Sequence, residues 1–246
     1  MLSEVPHDRD QENDSEETKP RRSLRCLAFG VALALLSSTA AAQPPDPALL
    51  ERLSHHANAF EQIGKHASFR MEALTEELDG SGKVASTQTQ QSRVEADGKR
   101  AREIVLRAVR DGKDVTAEQQ EKVKSKEEGG LTVPFASDAY VYDQIGVDAA
   151  NPMRVEISFI PKKRTKHTLE GTAWVDSVSG TILSGGAKLS QPPTFVDWVH
   201  LTVELGAMTP LGPAISHLTF EAKGGILFVR KHIRGDIRMS DYRWTP

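Results

Sequence analysis

Two stretches in the second half of the chain limit the fold more than any other feature. Met153, Val155, Ile157 and Phe159 alternate with Arg154, Glu156 and Ser158. Val199, Leu201, Val203 and Leu205 share one face of 196–205, with Trp198, His200, Thr202 and Glu204 on the other. A hydrophobic period of two is that of a β-strand with one face against a core. Leu169–Asp176 and Thr181–Leu189 are joined by Ser177-Val178-Ser179-Gly180, which reads as a hairpin. Leu218, Phe220 and Ala222 run through Gly224-Gly225 to Ile226, Phe228 and on to Met239, giving an expected last hairpin with its turn at the two glycines.

The same pattern extends upstream. Segments 67–78 and 83–95 flank Asp79-Gly80-Ser81-Gly82, and Asp97-Gly98 leads to a strand over 99–109. In that strand Arg102, Ile104, Leu106 and Ala108 alternate with Glu103, Val105, Arg107 and Val109, so both sides are expected to be partly covered. About nine to eleven strands, spaced by roughly 8 to 14 residues, predict an α+β fold built on a large curved antiparallel sheet, an open or half β-barrel. A helix is expected over 47–64. Asp46 caps it, Pro47 opens it, and Leu49, Leu50, Leu53, Ala57, Phe60, Ile63 and Gly64 form one apolar face. A polar excursion interrupts the sheet at about 112–130, where Thr116 and Gln119 have capping-box spacing. It reads as a solvated helical excursion or a loop, with a short helical lid or a partner-contact arm as the functional alternative.

The chain begins with a segment unlike the rest. Residues 1–20 carry seven acidic side chains and little to bury. Arg21, Arg22 and Arg25 then precede the apolar run Leu27–Leu36 and the small-residue stretch 37–42, the three parts of a secretory signal cleaved near Ala42. The arginine pair fits either a twin-arginine signal or ordinary positive charge before the apolar run. Removing 1–42 takes seven acidic and five basic groups from totals of 34 and 31, leaving a net charge of −1. Cys26, the chain's one cysteine, leaves with the signal and precedes the apolar run, so it cannot serve as a lipid anchor. Residues 43–246 are expected to form a single exported domain, located in the periplasm. No apolar run reaches the ~20 residues of a membrane-spanning helix.

Chemistry-bearing motifs are few. A net charge of −3 gives no positive field for nucleic acid. There is no phosphate loop, H-E-x-x-H, G-x-S-x-G or EF-hand loop. The mature histidines are scattered, and His55 and His56 point apart on the helix, so neither a metal site nor a catalytic residue is assigned and no cofactor is expected. Asp176, at a hairpin corner, reads as a turn cap. The informative side chains are large and apolar: Phe60 on the helix, with Trp174, Phe195, Trp198, Phe220 and Phe228 in or beside the C-terminal strands. They read either as core or as the lining of a concave hydrophobic cavity beneath the helix.

The run 169–176 (LEGTAWVD), then Ser177–Ile182, the Leu189-Ser190-Gln191-Pro192-Pro193 turn and the Met239-Ser240-Asp241-Tyr242-Arg243 ending resemble periplasmic members of the bacterial outer-membrane lipoprotein-sorting protein superfamily, which is LolA/LolB/RseB-like. The resemblance covers about 140–243 and, more weakly, 67–110. It implies an unclosed barrel with a helical lid whose concavity holds acyl chains in related proteins, and it assigns no ligand residue here. Together with the residue pattern it leads to an exported, non-enzymatic protein that binds a lipid, a lipoprotein acyl chain or another hydrophobic ligand. The alternative is an envelope regulatory or scaffold protein whose partner is a second envelope protein.

Overall fold

The computed structural model describes residues 42–125, 134–136, 138–226 and 229–245; the expected leader and signal at 1–41 lie outside them. A helix, α1 (Pro47–His66), opens the fold. Asp46 caps it by accepting from the Ala48 N–H, and Pro47 supplies a φ already suited to the first turn. The strands are β1 (Ala67–Leu78), β2 (Val84–Ala96), β3 (Ala101–Arg110), β4 (Lys113–Asp114), β5 (Tyr140–Val147), β6 (Arg154–Pro161), β7 (Leu169–Asp176), β8 (Ile182–Leu189), β9 (Val196–Thr209), β10 (Gly212–Ile226) and β11 (Val229–Trp244). A second helix, α2 (Thr116–Lys124), follows β4.

All eleven strands form one antiparallel sheet in the order β4-β3-β2-β1-β11-β10-β9-β8-β7-β6-β5. Strands adjacent in the sheet are consecutive in sequence except where β1 meets β11, the register that joins the two halves of the chain. The sheet does not close: β4 and β5 are its ends. Among the described residues, the outer side of β5 takes only an isolated bridge from Gln43, which exchanges both backbone hydrogen bonds with Gln144.

Cross-strand partners share a face. The row Leu201, Phe220, Gly235, Thr75, Gln88 therefore lies on one side of β9, β10, β11, β1 and β2. Both helices pack on that side. Leu49, Leu53 and Ala57 of α1 join Tyr140, Val155, Ile157, Phe159, Ala173 and Val175 in the main core. Leu53, Ile157 and Val175 are fully buried, each worth ~1.5–3 kcal/mol relative to an exposed side chain. A smaller cluster at the far end of α1 gathers Ile63, Ala67 and Ala214, with Tyr242 and Trp244 against it.

The sheet departs from the sequence pattern in three places, each for a physical reason. In β3 a register shift opposite Gln91 and Ser92 puts Val105 and Ala108 on the same, buried face and leaves Leu106 54% exposed. The bulge changes the phase of the alternation, so the strand has one covered face instead of two half-covered ones. Gly224 and Gly225 pair within the β10–β11 ladder with Lys231 and Arg230, and the ladder continues to Ile226 and Val229. A Cβ on Gly224 would stand 2.4 Å from the Phe195 carbonyl, which explains the glycine without a turn. Thr116 and Gln119 do not form a capping box, because the threonine hydroxyl is engaged with β3: Oγ1 accepts from the Ala108 N–H. With Val115 N–H donating to Ala108 O and Gln120 Oε1 accepting from Val105 N–H, α2 occupies the open edge of β3.

Candidate functional site

Between α1 and the sheet lies a pocket of about 270 Å³. Leu201, Val203 and Leu205 of β9 with Ile215 and Leu218 of β10 form one wall, and Ala57 and Phe60 of α1 bound it on the helix side. The space exists because β7 and β8 present Ala173, Gly185 and Ala187 where larger strand residues would fill it. Gly185 is confined by its neighbour, since a Cβ there would come within 3.1 Å of the Thr172 carbonyl. Among the described residues every lining side chain is apolar and none is titratable.

Phe135, with Pro134, closes a further side. It has φ 71°, a left-handed conformation costing about 1–2 kcal/mol for a residue with a Cβ. The Tyr142 hydroxyl accepts from its N–H, and its ring stacks on Tyr142 at 5.1 Å and meets Phe159 edge-on at 5.5 Å. Burial pushes the Tyr142 phenol up to about 12, so it stays neutral beside this wall. His56 Nδ1, on α1, accepts from the Ile182 N–H; burial first, then the neighbouring His55 charge, lowers its pKa and favours the neutral ring.

The candidate residues fall in different places. Phe60 lines the pocket. Phe220 is on the same face, opposite Leu201, with its ring covering Gly235 beyond the pocket wall. Trp174 and Trp198 stand on the other face, for a reason fixed by strand phase. Trp174 is paired with Glu156 and Ser184 and lies 5.8 Å from the Arg154 guanidinium, while Trp198 stacks on His200 at 4.9 Å. Phe195 precedes β9 and is 57% exposed, and Phe228 lies outside the described residues. The lining residues missed from sequence were the β9 stripe, which the alternation had already separated from Trp198, and Pro134-Phe135, an apolar pair after a polar stretch.

Asp176 behaves as a turn residue. Its Oδ1 accepts from the Ser179 N–H and Oγ and the Val178 N–H, and these bonds lower its pKa. Among the described residues no group of three or more His, Cys, Asp or Glu is placed to hold a metal ion. No helix among them is long and apolar enough to cross a membrane.

No family model and no curated protein matches the chain. Solved structures do. A DUF1329 family protein from Desulfovibrio piger is 12% identical with a TM-score of 0.40, over 79% of this chain and 92% of that one. A LolA superfamily protein from Nitrosomonas europaea is 10% identical with a TM-score of 0.38, over 81% and 93%. The Pseudomonas aeruginosa MucA/MucB complex contains a chain 13% identical with a TM-score of 0.22, over 79% and 99%. None of these likenesses brings a residue role or a ligand to this chain.

Proposed function

We propose that the protein is an exported, periplasmic, non-enzymatic binder that shelters a single hydrocarbon chain or similarly slender apolar group between α1 and the sheet. The observation carrying this reading is the pocket itself, about 270 Å³ with no polar side chain in its lining. Ligand sites usually begin near ~300 Å³, so the space suits one narrow chain and excludes a bulky multi-chain lipid. Each methylene removed from water contributes about 0.8 kcal/mol, so a chain of some eight methylenes gains about 6 kcal/mol before the costs of association. Selectivity comes from length and girth. Release requires α1 to lift, because Ala57 and Phe60 bound the pocket.

Mass spectrometry of an organic extract of the purified mature protein tests the proposal. A stoichiometric single-chain lipid or fatty acid supports it, and an extract indistinguishable from that of an unrelated exported control contradicts it.

A further inference from the structure

The opposite face of the sheet carries a second cavity, larger than the first at about 460 Å³ and different in chemistry. Its geometry follows from two neighbouring cross-strand rows. Leu74, Asp236, Thr219 and Thr202 lie side by side across β1, β11, β10 and β9. Next to them run Glu76, Arg234, Glu221 and His200. The short threonines leave a depression beside the longer second row. Three inter-strand spacings of about 4.8 Å across these four strands give it a length of roughly 14 Å.

Each carboxylate of the groove has a hydrogen-bonding partner against it. Glu76 Oε2 accepts from Arg234 Nε at 2.5 Å, Glu221 Oε1 meets His232 Nε2 at 2.5 Å, and Asp236 Oδ2 meets His217 Nε2 at 2.9 Å. Each contact fixes a carboxylate through one oxygen. The second oxygens of Glu76 and Glu221, together with the hydroxyls of Thr202 and Thr219 and the His200 ring, then offer short-range donors and acceptors, while Asp236 Oδ1 faces Arg238 Nε at 3.6 Å. At one end the Trp198 indole stacks on His200, an apolar plane beside the polar groups. Dense mixed donors and acceptors beside an aromatic plane match the hydroxyls and C–H faces of sugar rings.

We propose that this outer groove is a second binding site, for a neutral polyhydroxylated chain such as a short segment of glycan. The hydroxyls donate to the fixed carboxylates and accept from Arg234 and the threonines, while one ring lies near Trp198. The site is independent of the apolar pocket, so each can be occupied or lost alone.

The test uses the mature protein with maltotriose, cellotriose and chitotriose as probes, followed by saturation-transfer NMR and calorimetry, with a lysine-rich decapeptide as the ionic comparison. At least one trisaccharide is expected to bind, and T202W is expected to weaken it at least tenfold, about 1.4 kcal/mol, while uptake of a fluorescent fatty acid is unchanged. Should T202W fail to fold, T219V and E221Q together remove a hydroxyl and a fixed acceptor without filling the groove, and the same loss is expected. Absence of binding by all three sugars at about 10 mM overturns the proposal, as does binding that the variants leave unchanged or a preference for the decapeptide.

Discussion

Gly180, at the β7–β8 turn, is where the sheet touches α1 most closely, and G180A should measure that contact. The residue has φ +74°, and a Cβ on it would lie 2.4 Å from Arg52 Cβ, 2.8 Å from Arg52 C and 3.0 Å from Leu53 N. Two of these are helix backbone, so no rotamer change relieves them. With ordinary carbon contacts at about 3.5 Å, α1 must retreat by about 1 Å. That retreat disturbs Leu53 and Ala57, both fully buried, and the hydrogen bond from Arg52 Nη2 to the Ser177 carbonyl. The left-handed backbone costs roughly 1–2 kcal/mol and the overpacking a further ~1–3, together about 2–5 kcal/mol. For a chain of this size the midpoint of thermal unfolding falls by roughly 4–20 °C. G112A provides the reference: Gly112 has φ +79° and nothing within 4 Å of its Cβ, so it pays the backbone part alone. Circular dichroism melts of both variants isolate the helix contact by difference, expected at ~1–3 kcal/mol. Fatty-acid affinity should fall in G180A only, because α1 carries Ala57 and Phe60 into the pocket. Equal destabilisation of the two variants would refute the close seating of α1 and the pocket it bounds.

Removing the β3 edge guard with T116V and Q120A leaves the Ala108 and Val105 N–H groups without their side-chain acceptors. It should cost about 1 kcal/mol per bond and promote association through the bared edge, seen as a concentration-dependent species in analytical ultracentrifugation. All three tyrosines have raised pKa values, Tyr142 and Tyr242 to about 12 through burial and Tyr140 upward for the same reason, so native protein at pH 10.5 should show little tyrosinate absorbance at 295 nm. Because the folded phenols hold their protons more tightly than the unfolded ones, stability is intact below pH ~10 and declines as pH rises from there toward 12. Asp176 works in the opposite range. Its folded pKa is lowered by the Ser179 and Val178 bonds, so its contribution is present above the unfolded value of ~3.9 and is lost as pH falls through the folded one. An acid denaturation midpoint should therefore shift less in D176N than in the parent, relative to their stabilities at neutral pH.

The sequence revealed elements more readily than it revealed which side chains meet. α1 was legible because capping chemistry at Asp46-Pro47 and a three-to-four spacing agree, and the β7–β8 hairpin because Ser177–Gly180 supply turn residues of the right kind. β3 was not, since a bulge costs one residue of phase and the letters of the strand do not mark it. Gly224-Gly225 resembled a turn because glycine answers two different demands, positive φ and close backbone approach, and only tertiary structure reveals that the Phe195 carbonyl imposes the second. The pocket was sought among the largest aromatic residues, yet cavities arise where side chains are small. Ala173, Gly185 and Ala187 create the space, and the aliphatic stripe of β9 walls it, while Trp174 and Trp198 face away. Strand alternation already placed Trp198 opposite Leu201, so this part of the site was available from phase alone.

The most direct measurement of the central claim is a fluorescent fatty-acid titration of the mature protein beside A187F, a variant that puts a ring into the pocket where Ala187 now leaves room. Saturable one-to-one uptake by the parent, weakened at least about tenfold in A187F while the melting midpoint is retained, is the result expected from a dry pocket filled by one chain. No saturable uptake by the parent, or equal uptake by both proteins, would contradict the assignment of that pocket as the binding site.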